Sequence, residues 1–497
     1  MNPSLKIAWA KRDITPGGPS MLLGQMGNRL ASDVITPLTV TVLALESELG
    51  EQCIMVSADL AYISQPLLEK CRRQIALAES GIDPAKFFIN ATHTHTAPQF
   101  GTIIPMQDRF KAYGDASAKG NCGIDVVEMH RQEPAFVDSE QYLQLLADRI
   151  SEAVLEAWKS RQAGSVAWGF GTAVIGDCRR LSFRDRGIVM YGKSWEDDMW
   201  NVEGHTDHAV NLLFTFNSDR QLSGMIVNVA CPAQTCEALN IISADYWHYF
   251  RTAVAAEYGQ HVFVLSQCGA AGDQSPHKLL DQAAESRMLM LKGYLKRPVK
   301  SWNWQDRVYD LEYNVGKCRE IASRLLSAVK DVFPFAAKDI RAEVEFQHSV
   351  SQLELEARCV SAAEAVEAKK QADEMEEICR KQETYSGSVA WLREVVRRYE
   401  NPNSVYPMEL HVIRLGEIAF ATNPFELYLD FGDRIKGRSP AIQTFLIQLC
   451  GYGGYLSSPR SSQGGSYGSV PASTLVSAAG GQQLVDSTLQ TLKTLFR

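Results

Sequence analysis

No stretch of this 497-residue chain approaches the roughly 20 consecutive apolar residues that a membrane span requires. The opening segment, Met1 to Gly18, has neither a long apolar run nor a small-residue cleavage site, so the expectation is a cytoplasmic protein. A cationic excess is also missing: 50 Lys and Arg stand against 58 Asp and Glu, a formal net charge of -8. That balance argues against nucleic acid and against anionic membrane surfaces, both of which select basic patches. Eleven cysteines are scattered singly, with no CxxC pair. An odd number without paired spacing disfavours a disulfide framework and a structural zinc ribbon. Most of these thiols, Cys122 among them, read as small core hydrophobes. The turn Gly272 to Pro276 is no GxSxG elbow, which disfavours a conventional Ser-His-Asp triad there. No repeat and no long low-complexity linker interrupts the chain.

What is present is ordinary for a soluble globular protein: 45% hydrophobic and 22% charged residues, enough to bury a core of enzyme size. Val40 to Leu45, Cys53 to Ser57 and Lys86 to Thr92 read as buried strands, as do Ala209 to Phe216, Ser223 to Val229 and His261 to Leu265. Helical patterning covers Gln65 to Ser80, Glu140 to Lys159 and Tyr246 to Glu257. Strands interleaved with helices over this length imply a large α/β fold with a mixed sheet. The segment 361–400 differs, being charged, rich in Ala, Glu, Lys and Arg, and broken near Tyr385-Ser386-Gly387. It reads as a helical hairpin inserted on a single domain spanning 1–497. Glu409 to Thr422 returns to strand patterning, and Leu484, Leu489, Leu492 and Phe496 fit one face of a terminal helix.

The chemistry begins at His93-Thr94-His95, directly after the apolar run Phe87 to Thr92. On an extended chain residues two apart point to the same side, so His93 and His95 face one pocket while Thr94 faces away. Two imidazoles at a strand end either start a zinc site or hydrogen-bond at the strand terminus.

Six motifs in order along the chain extend the pattern. They are DITP (Asp13 to Pro16), ATHTHTAP (Ala91 to Pro98), ISADY (Ile242 to Tyr246), GDQSP (Gly272 to Pro276), NPFE (Asn423 to Glu426) and YGGYLSS (Tyr452 to Ser458). Together they resemble the neutral/alkaline ceramidase family over nearly the whole chain. The expectation is a catalytic domain alone, without the immunoglobulin-like C-terminal domain of ceramidases.

The resemblance implies one zinc per chain, held by His93, Glu426 and Tyr455. It implies that His95 sits beside the metal or on an oxyanion, although its geometry allows ligation too, and that Ser275 in the GDQSP turn helps attack or polarise the scissile bond. Tyr467 matches a tyrosine lining the substrate site, and Arg179 and Arg180 lie near a substrate-contacting arginine. His95 or Asp245 would handle the proton. Each residue also has a plainer reading. Asn423, Pro424 and Glu426 make a good helix-capping box. Tyr455 suits a loop anchor, Asp-Gln-Ser-Pro suits a turn, and the arginines suit a surface pair.

The family's second zinc histidine is missing from Val227 to Gln234. Cys231 stands at or next to its place, and a thiolate is a competent zinc ligand. His208 is an equal alternative, with His205 and His248 behind. Three functions follow. The first is hydrolysis of an N-acyl lipid, marked by a deep apolar pocket. The second is hydrolysis of a polar, acylated sugar-like substrate, marked by an open Arg- and Trp-lined pocket that Trp195 and Trp200 would rim. The third is a non-catalytic ligand-binding descendant, marked by Cys231 pointing into a packed core. Whether the chain forms a homo-oligomer is left open.

Overall fold

Apolar residues on both sides of the first strands set the architecture. β1 (Leu5–Asp13) buries Leu5, Ile7, Trp9 and Ala10, while in β2 (Thr39–Ser47), β3 (Gln52–Ala58) and β4 (Phe87–Ala91) the runs are almost continuously buried. Along β2, Val40, Val42 and Ala44 enter one core while Leu43 and Leu45 enter another, because successive side chains point to opposite faces. The computed structural model describes residues 4–27, 29–101, 137–296, 306–381 and 386–497. Cys122 and Tyr385 lie outside them.

β5 (Gln162–Thr172), β6 (Ala209–Phe216), β7 (Leu222–Val229) and β8 (Phe263–Cys268) complete an eight-stranded sheet in the order β8-β7-β6-β5-β1-β2-β3-β4. The β3–β4 and β7–β8 pairs are parallel and the others antiparallel, so the sheet is mixed as expected. A second sheet holds β9 (Phe346–Glu356), β10 (Val405–Leu415), β11 (Ile418–Thr422) and β12 (Gln443–Ile447). Leu43, Leu45, Met55 and Phe88 of the first sheet share a core with Ile413, Phe420, Phe445 and Ile447 of the second. Each such fully buried side chain contributes about 1.5–3 kcal/mol relative to exposure.

Helices cover the outer faces. On one half of the large sheet lie α1 (Gln65–Leu77) and α2 (Ser139–Lys159), through Leu67, Ile75, Leu146 and Ile150. On the other half lie α3 (Tyr246–Tyr258) and α4 (Leu311–Ala336), through Trp247, Phe250, Leu325 and Val329. The inserted pair, α5 (Ala362–Lys381) and α6 (Gly387–Glu400), is joined by Arg393, which reaches Asp373 and Glu376. α7 (Ala478–Leu495) packs Leu484, Leu489 and Leu492 on the small sheet. Among the described residues, no helix is long and apolar enough to cross a membrane.

Several boundaries differ from the sequence reading; the run read as His261 to Leu265, for one, is the strand Phe263–Cys268. α1 ends at Leu77, because Glu79 takes a left-handed φ of 46°. The Glu409–Thr422 run divides at Gly416, whose φ of 60° suits the tight turn between β10 and β11. Glu426 is no helix cap: it begins a short strand, Glu426–Leu427, paired in parallel with Tyr455–Leu456. That pairing, not a capping box, decides where its carboxylate goes.

Candidate active site

The large sheet ends β4 at Ala91, and the chain then turns sharply. His93 has φ 67°, a left-handed conformation that costs a non-glycine residue about 1–3 kcal/mol. The turn is held by the His93 amide on the Leu60 carbonyl and by the Thr94 hydroxyl on the Ser243 carbonyl at 2.8 Å. Thr94 thus faces the ISADY segment, and the two imidazoles face the other way. Their Nε2 atoms lie 3.4 Å apart. Gly24 closes over His95, where a Cβ would come within 2.4 Å of the ring.

His93 is anchored through Nδ1, 2.5 Å from the Ala61 carbonyl oxygen. Nδ1 must donate there, which leaves Nε2 pointing at Glu426 Oε2, 3.2 Å away. The strand pairing of Glu426 with Tyr455 brings the phenol beside the same carboxylate. Arg179 completes the cluster. Its guanidinium lies 3.6 Å from Glu426, 3.2 Å from the Tyr455 hydroxyl and 2.9 Å from the Tyr191 hydroxyl, and donates to the Gly272 carbonyl at 2.8 Å. A short antiparallel pairing of Asp177-Cys178 with Gln274-Ser275 holds Arg179 against the GDQSP turn. Ser275 is fully buried, its hydroxyl 3.3 Å from Tyr191 Oη, so it reaches the cluster through Tyr191 and Arg179.

In front of this cluster opens a cavity of about 400 Å³. Its wall includes His95, Arg179, Gln234, Glu237, Tyr455 and Tyr467. The Tyr467 ring lies 5.4 Å from Tyr455 and is stacked on Trp391 of α6 at 6.2 Å. Burial pushes the Glu426 carboxyl up, but His93, Arg179 and Tyr455 outweigh it and hold the group below the usual carboxylate range. Burial, then His93, Arg29 and Arg179, keep His95 well below an ordinary imidazole. His277 is lowered likewise, first by burial. Both rings are therefore neutral at neutral pH.

Several residues singled out in the sequence lie elsewhere. Cys231 packs in the core under α3 and α4, its sulfur 3.4 Å from the Ile175 carbonyl oxygen, and burial raises its thiol well above normal. It does not face His93. His208 lines a separate cavity with His205, Asp433 and Lys436, and His205 pairs with Asp433 at 3.2 Å. His248 sits on α3 against Tyr249. Asp245 caps α3, one oxygen accepting from the Tyr246 amide at 2.8 Å and from Cys318 Sγ at 3.7 Å, the other from the Cys236 amide at 2.7 Å, so both oxygens are engaged within the core. Arg180 is fully buried beside Glu203 and donates to the carbonyls of Gly465 and Tyr467; it organises the loop behind the cavity. Trp195 and Trp200 are exposed and outside the cavity wall.

The segment after β7 contributes what motif reading missed. Gln234 Nε2 is 2.8 Å from His95 Nε2, and Glu237 Oε2 is 3.6 Å from His95 Nδ1 and 3.2 Å from Gln25 Nε2. A signal existed: polar Gln234 interrupts, and Glu237 ends, a run of buried small residues from Ala230 to Cys236.

The donor set suits a cation. With Nδ1 donating to Ala61, His93 Nε2 faces the Glu426 carboxylate at 3.2 Å, a pair that can share a proton or jointly hold a metal ion. Another group with metal-like spacing among the described residues is Cys236, Asp245 and Cys318. It is sealed in the core, and both Asp245 oxygens are engaged by amides.

Solved structures give the same arrangement of elements. A neutral ceramidase from Pseudomonas aeruginosa is similar at a TM-score of 0.66 and 15% identity, over 99% of this chain and 75% of that one. The chain has the neutral ceramidase fold. A structure described as ceramidase complexed with C2 is similar at a TM-score of 0.63 and 14% identity, over 99% and 76% of the two chains. No family model and no curated protein matches the sequence. At this identity the ceramidase likeness extends to the fold, and function must be argued from the site.

Proposed function

We propose that the protein is a zinc-dependent hydrolase that cleaves an amide or ester, with the metal held by His93, Glu426 and Tyr455. The observation that carries this reading is the convergence of His93 and Glu426 at 3.2 Å beneath a cavity walled by Arg179 and Tyr455. When bound, zinc would polarise the scissile carbonyl and make a water acidic enough to attack near neutral pH. Arg179 stays charged, since the phenols and Glu426 outweigh its burial, and its guanidinium is aimed where negative charge would develop on the carbonyl oxygen. Tyr455 and Tyr191 hold it there, and Ser275 steadies Tyr191. Tyr467 would bear on the rest of the substrate.

The lining favours a polar acyl substrate over a long-chain N-acyl lipid. Met26, Ala238 and Val308 are the aliphatic part of the wall, Tyr191, Tyr309, Tyr455 and Tyr467 its aromatic part, and Gln25, His95, Arg179, Gln234 and Glu237 its polar part. Cys231 lies in a packed core, the mark set for a non-catalytic descendant. Against that descendant, a merely ligand-binding protein has no need of a strained His93 aimed at a buried carboxylate.

Metal analysis with anomalous diffraction at the zinc edge tests the reading, together with hydrolysis of acyl esters and anilides. One zinc per chain and loss of both metal and activity in His93→Ala are expected. Protein without stoichiometric zinc, whose activity survives His93→Ala, would sink it.

A further inference from the structure

The hydrolase reading leaves the proton unassigned. Cleaving an amide requires a group that takes a proton from the attacking water and returns it to the leaving nitrogen. The two residues suggested by sequence are unsuited. Asp245 spends both oxygens on backbone amides. His95 has Nε2 occupied by the Gln234 amide at 2.8 Å, and its Nδ1 faces Gln25 at 3.3 Å and Glu237 at 3.6 Å, so both ring nitrogens are already engaged.

Resting on that reading, we infer that Glu237 is the proton-transfer group of this pocket, set between the imidazoles of His95 and His277 and open to the cavity. Its Oε2 lies 3.6 Å from His95 Nδ1 and its Oε1 lies 3.6 Å from His277 Nε2, while Gln25 donates to Oε2 at 3.2 Å. Among the described residues its partners are side chains. The carboxyl lines the same cavity as Arg179 and Tyr455. Charged and titratable groups face it from every side: Arg29 from the loop before β2, Arg179 from the strand paired with the GDQSP turn, Asp245 at the start of α3, and His93, His95, His277 and Tyr191 around the cavity. Burial raises Glu237 to about 7, with Asp245 adding to the rise and Arg179, Arg29 and His93 opposing it. Such a group is ready to act in both directions near neutrality.

The step balances without other reagents. As the water oxygen forms its bond to the carbonyl carbon, its proton passes to the Glu237 carboxylate. As the carbon–nitrogen or carbon–oxygen bond breaks, the Glu237 carboxylic acid gives that proton to the departing atom. The carboxylate is restored and one water has been added across the bond.

Two probes with the zinc-loaded full chain separate this role from a structural one: 4-nitroacetanilide, whose nitrogen must be protonated to leave, and 4-nitrophenyl acetate, whose phenolate leaves unaided. Glu237→Gln should lower kcat/KM for both probes, since both need the attacking water deprotonated, and for the anilide by about 100-fold more than for the ester, since only its nitrogen needs the proton returned. It should also remove the limb of the pH–rate profile near neutrality. Glu237→Asp keeps an acid at the site and should retain that limb with a shifted midpoint, which decides the matter should the Gln variant fold poorly. Equal losses on both probes, or a limb unmoved in either variant, would overturn the assignment while the hydrolase reading stands. A zinc-loaded wild type that cleaves neither probe would overturn both.

Discussion

His93 Nε2 and Glu426 Oε2 lie 3.2 Å apart, yet they arrive from different sheets. His93 follows β4 of the large sheet, and Glu426 follows β11 of the small one. The site therefore exists only when the two sheets are packed, and the core of Phe88, Ile413, Phe420 and Ile447 between them is part of its construction. A metal bridging the two residues would clip the sheets together at one edge, so binding energy is also folding energy.

From this comes the first prediction. His93→Ala and Glu426→Gln should each abolish stoichiometric zinc, and zinc should raise the melting temperature of wild type but of neither variant. At a zinc concentration about 100 times the Kd, the wild type should gain about 2.7 kcal/mol. Calorimetry with and without chelator reads this directly, and equal stabilisation of all three proteins would refute the ligand assignment.

Neighbouring arginines should behave in opposite ways. Arg179 touches the site, so Arg179→Met should lower kcat by about 10²–10³-fold, the usual loss for one preorganised oxyanion donor. Arg180 is sealed against Glu203 and the loop carbonyls, and Arg180→Met should instead cost about 3–5 kcal/mol of stability by stranding a buried carboxylate. Urea unfolding beside steady-state kinetics distinguishes the two, and exchanged phenotypes would reverse the roles given to this pair.

The helical insertion carries a third prediction. Trp391 of α6 stacks on Tyr467 with planes 7° apart, and the Gly387 amide at the start of α6 donates to the carbonyl of Met26, a cavity residue. The hairpin therefore braces two parts of the cavity wall. Trp391→Ala should raise KM by about three- to tenfold with little change in kcat or zinc content, since an aromatic pair contributes about 0.5–1.5 kcal/mol. An unchanged KM on the substrate that wild type cleaves best would detach the hairpin from binding.

Much of this was legible in the sequence, for physical reasons. Strands such as β2 and β7 announce themselves through β-branched runs. The placement of Thr94 away from the imidazoles followed from strand alternation alone, although His93 itself left the extended region. Glu426 was ambiguous because Asn423, Pro424 and Glu426 satisfy a capping pattern locally. Only pairing with Tyr455, 29 positions later, makes a strand of it. Cys231 misled because motif position records where a residue lies along the chain, not which way the turn after β7 points it. That turn sends Cys231 into the core and delivers Gln234 and Glu237 to His95. No period or spacing encodes such a choice.

The last prediction concerns acid. Glu237 is buried and raised from 4.5 to about 7, so the native state holds a proton that the unfolded chain has released between those values. A raised folded-state pKa gives stability that is fully present below about 4.5 and is lost as pH rises through about 7. The shift corresponds to about 3 kcal/mol, an order-of-magnitude figure for a single carboxyl. Glu237→Gln removes the titration, since an amide needs no proton to stay neutral. Relative to wild type, the variant should therefore gain stability steadily from pH 4.5 to 7, by up to about 3 kcal/mol, and hold that advantage above pH 7. Urea unfolding at half-unit pH steps, with the free-energy difference plotted against pH, measures the slope. A flat difference would place the Glu237 carboxyl at its ordinary value and leave the cavity with a permanent anion facing Arg179.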